Sequence, residues 1–333
     1  MTGGAEDRPR AVVIGPVNVD LFIRGHAPLD ADALNAWVGP SDVDFLVAGS
    51  IGYTIQALAR LGVAVEVCTT FGEDAFGVHL RREVERAGIG TVLSRSSPGD
   101  TAIAIYMLLF GGSKRPMTYR LPSFEPWPDP IPLGAMDGLS LLLCGGLLHF
   151  PHMWHRGLAL TFERARAAGV MTALDPQFPL TDMPAPWLPH FEDVLPHVDV
   201  FLCDEGESRK IFGLDDAEAA LRNVLRLGPR MAVIKLGARG ALATDGRELV
   251  LQPAVDIPAE QVRESVGAGD AFDAGFLTAL VKGAPLAEAV RFATAVAALT
   301  LSGRGGAETI AGPQLVEAET ARVPLATRRP FVG

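Results

Sequence analysis

Residues 266–276 read VGAGDAFDAGF, three small residues followed at once by an acid and then by an apolar run. Gly267, Ala268 and Gly269 stand where a helix would begin, and a helix start presents unpaired N–H groups and the positive end of the peptide dipole. Side chains this small let an anion come close to that backbone. Asp270 sits in the same place and needs a task of its own there. Asn18 and Asp20 in GPVNVDLF alternate on a strand end, so both point to one face. In AGSIGY, Gly49 and Gly52 permit a close backbone approach at the start of the helix that follows. KLGARGAL puts Lys235, Gly237 and Gly240 after a strand, where by itself a GxxG reads as a β-turn.

Residues so far apart in sequence need a scaffold that ends its strands on one edge. AVVIG (11–15), VEVCTTFG (65–72), LSLLLCGG (139–146), VMTALD (170–175), VDVFLCD (198–204) and MAVIKLG (231–237) are strand-like apolar runs. IQALARLG (55–62), VHLRREVERAG (78–88) and LALTFERARAAG (158–169) have helical periodicity, and each closes on a capping Gly. The alternation predicts a mostly parallel sheet with helices on both faces. Two segments break it, roughly 16–48 and 98–122, and both read as extra strands without a helix between them. We expect them to form a small lid over the carboxyl edge of the main sheet, where open α/β sheets bind ligands. Met117-Thr-Tyr-Arg, with Tyr119 and Arg120, falls on a lid strand. EPWPDPIP (125–132) reads as a linker back to the core, and 1–10 and 321–333 as flexible termini of a single domain spanning 11–320.

Composition narrows the partners. The 39 acidic and 29 basic side chains leave a net charge of −10 without a basic cluster, which speaks against nucleic acid. Cys68, Cys144 and Cys203 are odd in number and lie in apolar contexts, as buried reduced thiols do. The N-terminal residues lack a signal-peptide core, and no apolar run approaches the roughly 18 residues of a membrane span, so no membrane partner and a cytoplasmic location are expected. There is no GxxxxGK[ST] loop and no GxGxxG after the first strand. His149, His152 and His155 are evenly spaced around Pro151 and read as loop histidines, not as a metal cluster.

VGAGDAFDAGFL resembles the second signature of the pfkB, or ribokinase-like, carbohydrate kinases, close to D-T-x-G-A-G-D-x-F-x-A-G-F. GPVNVDLF, AGSIGYTIQALARLG with FGEDAFG, DPQFP, CDEGES, KLGARGAL and GRGGA (303–307) fall in the family's order over about 11–310. The resemblance implies a ribokinase-like three-layer α/β/α core with a mostly parallel sheet and a small β lid, dimeric through that lid. It implies transfer of a phosphoryl group from ATP, with Mg2+, to a hydroxyl, usually a CH2OH of a sugar or nucleoside. Asp270 would then be the base and the 267–269 backbone the anion hole, since a loose transition state asks mainly for positioning and charge stabilisation. By the same resemblance Asn18, Asp20, Gly49, Ser50, Gly52 and Tyr53 hold the acceptor. Asp204, Glu207, Lys235, Gly237, Gly240 and Thr294 belong to the nucleotide side, with Glu207 serving Mg2+.

The chain also departs from the family pattern. Tyr53 stands in place of an Asn, and its ring is expected to stack on the sugar or on a group attached to it. A nucleoside is therefore the alternative acceptor. Glu264-Ser265 replaces Asp-Thr in a neighbourhood that in the family often binds a monovalent cation, which makes K+ a candidate ion. Asp204 replaces Asn, and Gln177 replaces the Asn of D-P-N. The rival from another class is a non-catalytic ligand-binding protein that keeps the fold, against which the intact Gly267–Asp270 run argues.

Overall fold

The computed structural model describes residues 8–110, 117–123, 133–149, 156–180, 182–303, 307–310 and 312–331. In chain order these form β1 Arg10–Ile14, β2 Asn18–Gly25, α1 Ala31–Asn35, β3 Ser41–Ala48, α2 Gly52–Arg60, β4 Ala64–Cys68, β5 Thr70–Gly72, α3 Ala75–Arg86 and β6 Arg95–Ser97. Next come β7 Ile103–Leu108, β8 Met117–Arg120, β9 Leu141–Gly145, α4 Arg156–Ala167, β10 Met171–Asp175, β11 Val200–Asp204, α5 Glu205–Phe212 and α6 Ala217–Arg226. The last are β12 Met231–Lys235, β13 Ala241–Thr244, β14 Glu248–Gln252, α7 Ala268–Val281, α8 Leu286–Leu301, α9 Pro313–Thr320 and β15 Thr327–Pro330. The expected linker 125–132, His152, His155 and most of GRGGA lie outside the described residues.

A nine-stranded sheet in the order β15-β14-β13-β12-β11-β10-β9-β1-β4 forms the centre. From β12 to β4 every pairing is parallel, whereas β13, β14 and β15 extend the sheet antiparallel. The alternation along each strand feeds two apolar cores. Leu141 and Leu143 join Val13, Leu202 and the helices α2, α7 and α8 on one face, while Leu142 and Cys144 join Ile14, Phe201 and α4 and α6 on the other. Strands buried on both sides are the reason their sequences read as unbroken apolar runs.

β1 is the switch point, because β4 lies on one side of it and β9 on the other. Ligands of open α/β sheets bind outside the carboxyl ends of the strands at such a place. Above that edge stands the four-stranded lid, ordered β3-β2-β7-β8 and drawn from the two segments that broke the alternation. Arg120 anchors it: one guanidinium nitrogen donates to Asp74 at 2.8 Å and to the Thr101 carbonyl at 2.7 Å, and Asp74 also caps α3 through Gly77 N. Arg120 is thus an anchor and not a cleft residue.

Four readings change. VEVCTTFG divides, because β5 leaves the main sheet and pairs in parallel with β6. The short strands β13 and β14 carry little pattern and were not foreseen. Residues 321–331 are not simply a loose tail, since β15 closes the sheet edge against β14, Val323 and Phe331 are buried, and Arg328 meets Glu248 at 2.7 Å. Nor is Arg10 outside the domain, for it opens β1 opposite Ala64. A strand reading TRRP shows no hydrophobic alternation, so only its backbone pairing reveals it. Cys68, Cys144 and Cys203 are free and buried, and burial pushes the Cys68 thiol up to about 12. Among the described residues no helix is long and apolar enough to cross a membrane.

Candidate active site

The carboxyl ends of β1, β9, β10, β11 and β12, the lid and the start of α7 enclose a cleft of about 1580 Å³. Helix α7 is apolar almost all round and buried along most of its length, so packing fixes its axis and aims its N-terminus at the cleft. Gly267 adopts φ 83° just before the helix, a left-handed turn that favours glycine, and no side chain caps that end. Ala268, Gly269 and Asp270 line the cleft directly. A helix N-terminus left open to a cleft is an anion site.

Asp270 receives hydrogen bonds at its Oδ1 from Thr54 Oγ1 and Gln177 Nε2, both at 3.3 Å. Gln177 holds φ 56°, an unusual value for a residue with a side chain, and its amide also donates to the Ser50 carbonyl at 2.8 Å. Burial pushes the Asp270 carboxyl up to about 7, with Lys235 and the Thr54 bond pulling down and Asp175 and Asp20 pushing up. Loss of water brings the titration of this carboxyl close to neutral pH.

Below Gly269 lies a charge cluster in which Lys235 Nζ donates to Asp175 Oδ2 at 3.0 Å and to Asp273 Oδ2 at 2.8 Å. All three side chains are nearly buried. Burial and the Asp175 charge raise the Asp273 carboxyl well above its usual range, while burial opposes the Lys235 charge and its acidic neighbours more than restore it. Lys235 therefore fixes the ends of β10 and β12 and the second turn of α7 relative to one another. Its charge also reaches Asp270.

On the lid side, Asp20 is gripped from two directions: Asn18 Nδ2 donates to its Oδ1 at 2.9 Å and the Tyr53 hydroxyl to its Oδ2 at 2.7 Å. Tyr53 is buried, and burial together with Asp20 raises its phenol well above the usual value. Its hydroxyl is spent on orienting Asp20, which replaces stacking as the role seen in this structure. Gly49 adopts φ 92°, and a Cβ there would collide with Asn18 Oδ1, so a glycine here leaves the Asn18–Asp20 pair its room. A Cβ on Gly52 would instead approach the Val47 backbone, and Gly52 does not line the cleft.

Ser50 and His149 form a pair that the sequence did not suggest. His149 Nε2 lies 2.6 Å from the Phe178 carbonyl, which only accepts, so that nitrogen carries the proton. Burial lowers the His149 pKa to about 4, leaving Nδ1 bare to accept from Ser50 Oγ at 2.7 Å. Ser50 Oγ, its proton so committed, offers lone pairs to the cleft.

On the far side, Asp204 and Glu207 cap α5 reciprocally, Asp204 Oδ1 accepting from Glu207 N and Glu207 Oε2 from Asp204 N, each at 2.7 Å. Asp204 thus holds the helix as well as lining the cleft. Burial and Asp175 raise the Glu207 carboxyl well above its usual range, against the pull of Lys235. Among the described residues no group of three or more His, Cys, Asp or Glu is arranged to hold a metal. Mg2+ needs only one or two carboxylates when phosphates and water supply the other oxygens, and Glu207 fits that demand. Gly237, Gly240 and Thr294 also line the cleft, but a Cβ on Gly240 would strike the Gln252 carbonyl, and the Thr294 hydroxyl donates to Val290 O at 2.9 Å.

The fold therefore brings together Asn18, Asp20, Gly49, Ser50, Tyr53, Asp204, Glu207, Lys235, Gly237, Gly240, Ala268, Gly269, Asp270 and Thr294 around one cleft. Gly267 stands just behind it, and Gly52 faces elsewhere. Asp175, His149, Thr54 and Asp273 were missed. Asp175 ends an apolar strand on an acid, a visible signal, whereas Asp273 sits one turn beyond Asp270 within an apolar run and carried none.

Residues 11–311 match the family described as pfkB family carbohydrate kinase. The chain is 26% identical over 308 residues to ribokinase of Arabidopsis thaliana, covering 89% of this chain and 77% of that protein. It is 30% identical over 257 residues to an uncharacterized sugar kinase of Archaeoglobus fulgidus, covering 76% of this chain and 97% of that one. The solved structure of Arabidopsis thaliana ribokinase complexed with ribose and ATP superposes with a TM-score of 0.73 at 23% identity, over 94% of this chain and 99% of that chain.

Proposed function

This chain belongs to the pfkB family of carbohydrate kinases, and we propose that it transfers the γ-phosphoryl group of ATP to a CH2OH hydroxyl of a sugar or sugar derivative, with Asp270 as the base. The acceptor oxygen attacks the γ-phosphorus, the bond from phosphorus to the β,γ-bridging oxygen breaks, ADP leaves with that electron pair, and the acceptor proton passes to Asp270. The observation that carries this reading is Asp270 itself, at an uncapped helix start in the cleft with its carboxyl raised to about 7.

The N–H groups of the first turn of α7 face the charge that develops on the transferred group, where fixed dipoles in a dry site act without reorganising. Asp20, steadied by Asn18 and Tyr53, orients the acceptor, and Ser50 accepts from one of its hydroxyls. Glu207 is the residue we assign to Mg2+, which when bound neutralises the phosphate oxygens. Glu264 accepts from Ser265 N and Val266 N and lies 3.9 Å from an Arg24 guanidinium nitrogen, and K+ is kept as the candidate ion of this neighbourhood, to be checked by comparing turnover in K+ and Na+ buffers. The exposed Val43 and Phe45 on the lid support a homodimer, to be checked by sedimentation.

A coupled assay of acceptor-stimulated ADP release over pentoses, hexoses, sugar acids, sugar phosphates and nucleosides tests the activity. Asp270→Asn should lower turnover by roughly 10²–10⁴-fold, the usual worth of a general base. Full turnover in that variant, or no stimulation by any acceptor, overturns the reading.

A further inference from the structure

The acceptor end of the cleft has a polar floor and an apolar wall, a combination that selects among hydroxyl compounds. The register of the lid sets Asp20 beside Ala104 and Ala104 beside Tyr119, and in the next row Phe22 beside Tyr106 and Tyr106 beside Met117. Ala104, with only a methyl group, leaves a hollow between the hydroxyl-binding acid and the tyrosine ring. Period-two alternation keeps Met117, Tyr119 and Leu121 on the same face, and all three line the cleft.

These wall residues are unusually bare. Met117 is 51% exposed, Tyr119 48%, Leu121 43% and, from the loop opposite, Phe178 45%. Large apolar side chains gathered at a cleft mouth mark a surface that a ligand covers. Aromatic rings and a thioether suit a flat, unsaturated group better than a second sugar. Tyr119 also donates its hydroxyl to Leu180 O at 3.0 Å, so the wall continues across the cleft onto the loop after β10.

The charge on the floor narrows the choice further. Among the described lining residues Lys235 is the one cationic side chain, and it already faces Asp175 and Asp273. Against it stand Asp20, Asp175, Asp204, Glu207 and Asp270. An acceptor with its own carboxylate or phosphate would meet repulsion beside Asp20, whereas hydroxyl donors find Asp20 and the lone pairs of Ser50.

We propose that the acceptor is an uncharged polyol joined to a planar apolar group, the nucleoside class, with its hydroxyls on Asp20 and Ser50 and its flat group against Tyr106, Met117 and Tyr119. This assignment rests on the kinase reading above and names its substrate class. The test compares kcat/KM for a pyrimidine and a purine nucleoside with that for free ribose, a sugar acid and a sugar phosphate.

The better nucleoside should exceed each of the others by at least about tenfold, one methylene-scale contact or more in an apolar pocket. Met117→Ala and Tyr119→Ala should each lower the nucleoside-to-ribose ratio about fivefold, and Tyr119→Phe, which keeps the ring, should preserve it. Ribose, the acid or the phosphate performing within threefold of the nucleosides overturns the proposal, as does a ratio unmoved in both alanine variants. Calorimetric titration of nucleosides into Asp270→Asn separates the two readings. Binding there without turnover of any acceptor by the unaltered protein would sink the kinase reading alone, and no binding of either nucleoside would sink this one.

Discussion

The two sides of the cleft are built on opposite principles. Around α7, Asp175 and Asp273 are buried and tied together by Lys235, while Asp204 and Glu207 cap α5. Across from it, the lid offers Met117, Tyr119 and Leu121 with roughly half of each surface open. The first side holds charge in a fixed place before any ligand arrives, as a site that stabilises a transition state must. The second holds large apolar side chains open to the cleft, where the proposed acceptor would cover them. On the function proposed above, the sheet edge carries the chemistry and the lid selects the acceptor.

The largest break in this contrast should come from Lys235→Met. Removing one partner of a buried charge cluster typically costs about 3–5 kcal/mol, because the remaining charges stay buried. In the variant Asp273, whose carboxyl burial and the Asp175 charge already raise, can relieve the repulsion only by taking a proton, so its folded pKa rises further. A carboxyl whose folded pKa is raised favours the folded state at low pH and loses that contribution as pH rises. Thermal melts should therefore show a deficit that grows from pH 5.5 to pH 8, and adding Asp273→Asn should recover part of it. A pH-independent deficit would show that the cluster is not electrostatically coupled.

A smaller but sharper effect concerns Asp270. The base must be ionised, so kcat/KM for the acceptor should climb about tenfold per pH unit on the acid side and level off above about 7. Thr54→Val removes a bond that lowers the Asp270 pKa and should move this limb to higher pH. A limb near pH 4, or a shift in the other direction, would mean that burial does not set the base strength.

On the lid side, Tyr53→Phe keeps the ring and deletes the hydroxyl that orients Asp20. A hydrogen bond to a charged group is worth about 1.5–3 kcal/mol, so acceptor KM should rise roughly tenfold or more with kcat little changed. An unchanged KM would return Tyr53 to a stacking role. The weakest perturbation is deletion of the residues from Thr327 onward, which frees one sheet edge far from the cleft. It should lower the melting temperature by a few degrees and leave KM alone.

Much of this was readable in the linear chain. The runs at 139–146, 170–175, 198–204 and 231–237 carry strand periodicity because both faces are buried, and the small residues before Asp270 mark a helix start because only they fit there. The lid segments announced themselves as strands lacking crossover helices. Other parts left no mark. TRRP pairs through its backbone, His149 differs from neighbouring histidines only by what surrounds it, and Asp273 looks like a stray acid in an apolar helix.

Tyr53 is where the two levels meet. Its presence in place of an amide was visible and prompted the expectation of a stacked ring, yet hydrogen bonding to Asp20 depends on a residue 33 positions away. What the amino-acid sequence determined by itself is the set of local geometries: which runs pair, which helix begins on glycines, which acids stand at strand ends. Tertiary structure alone decided the protonation of Asp270, the partner of Lys235 and the tautomer of His149. Those properties come from desolvation and from charges brought close by folding, and neither exists until the strands and the lid have closed around the cleft.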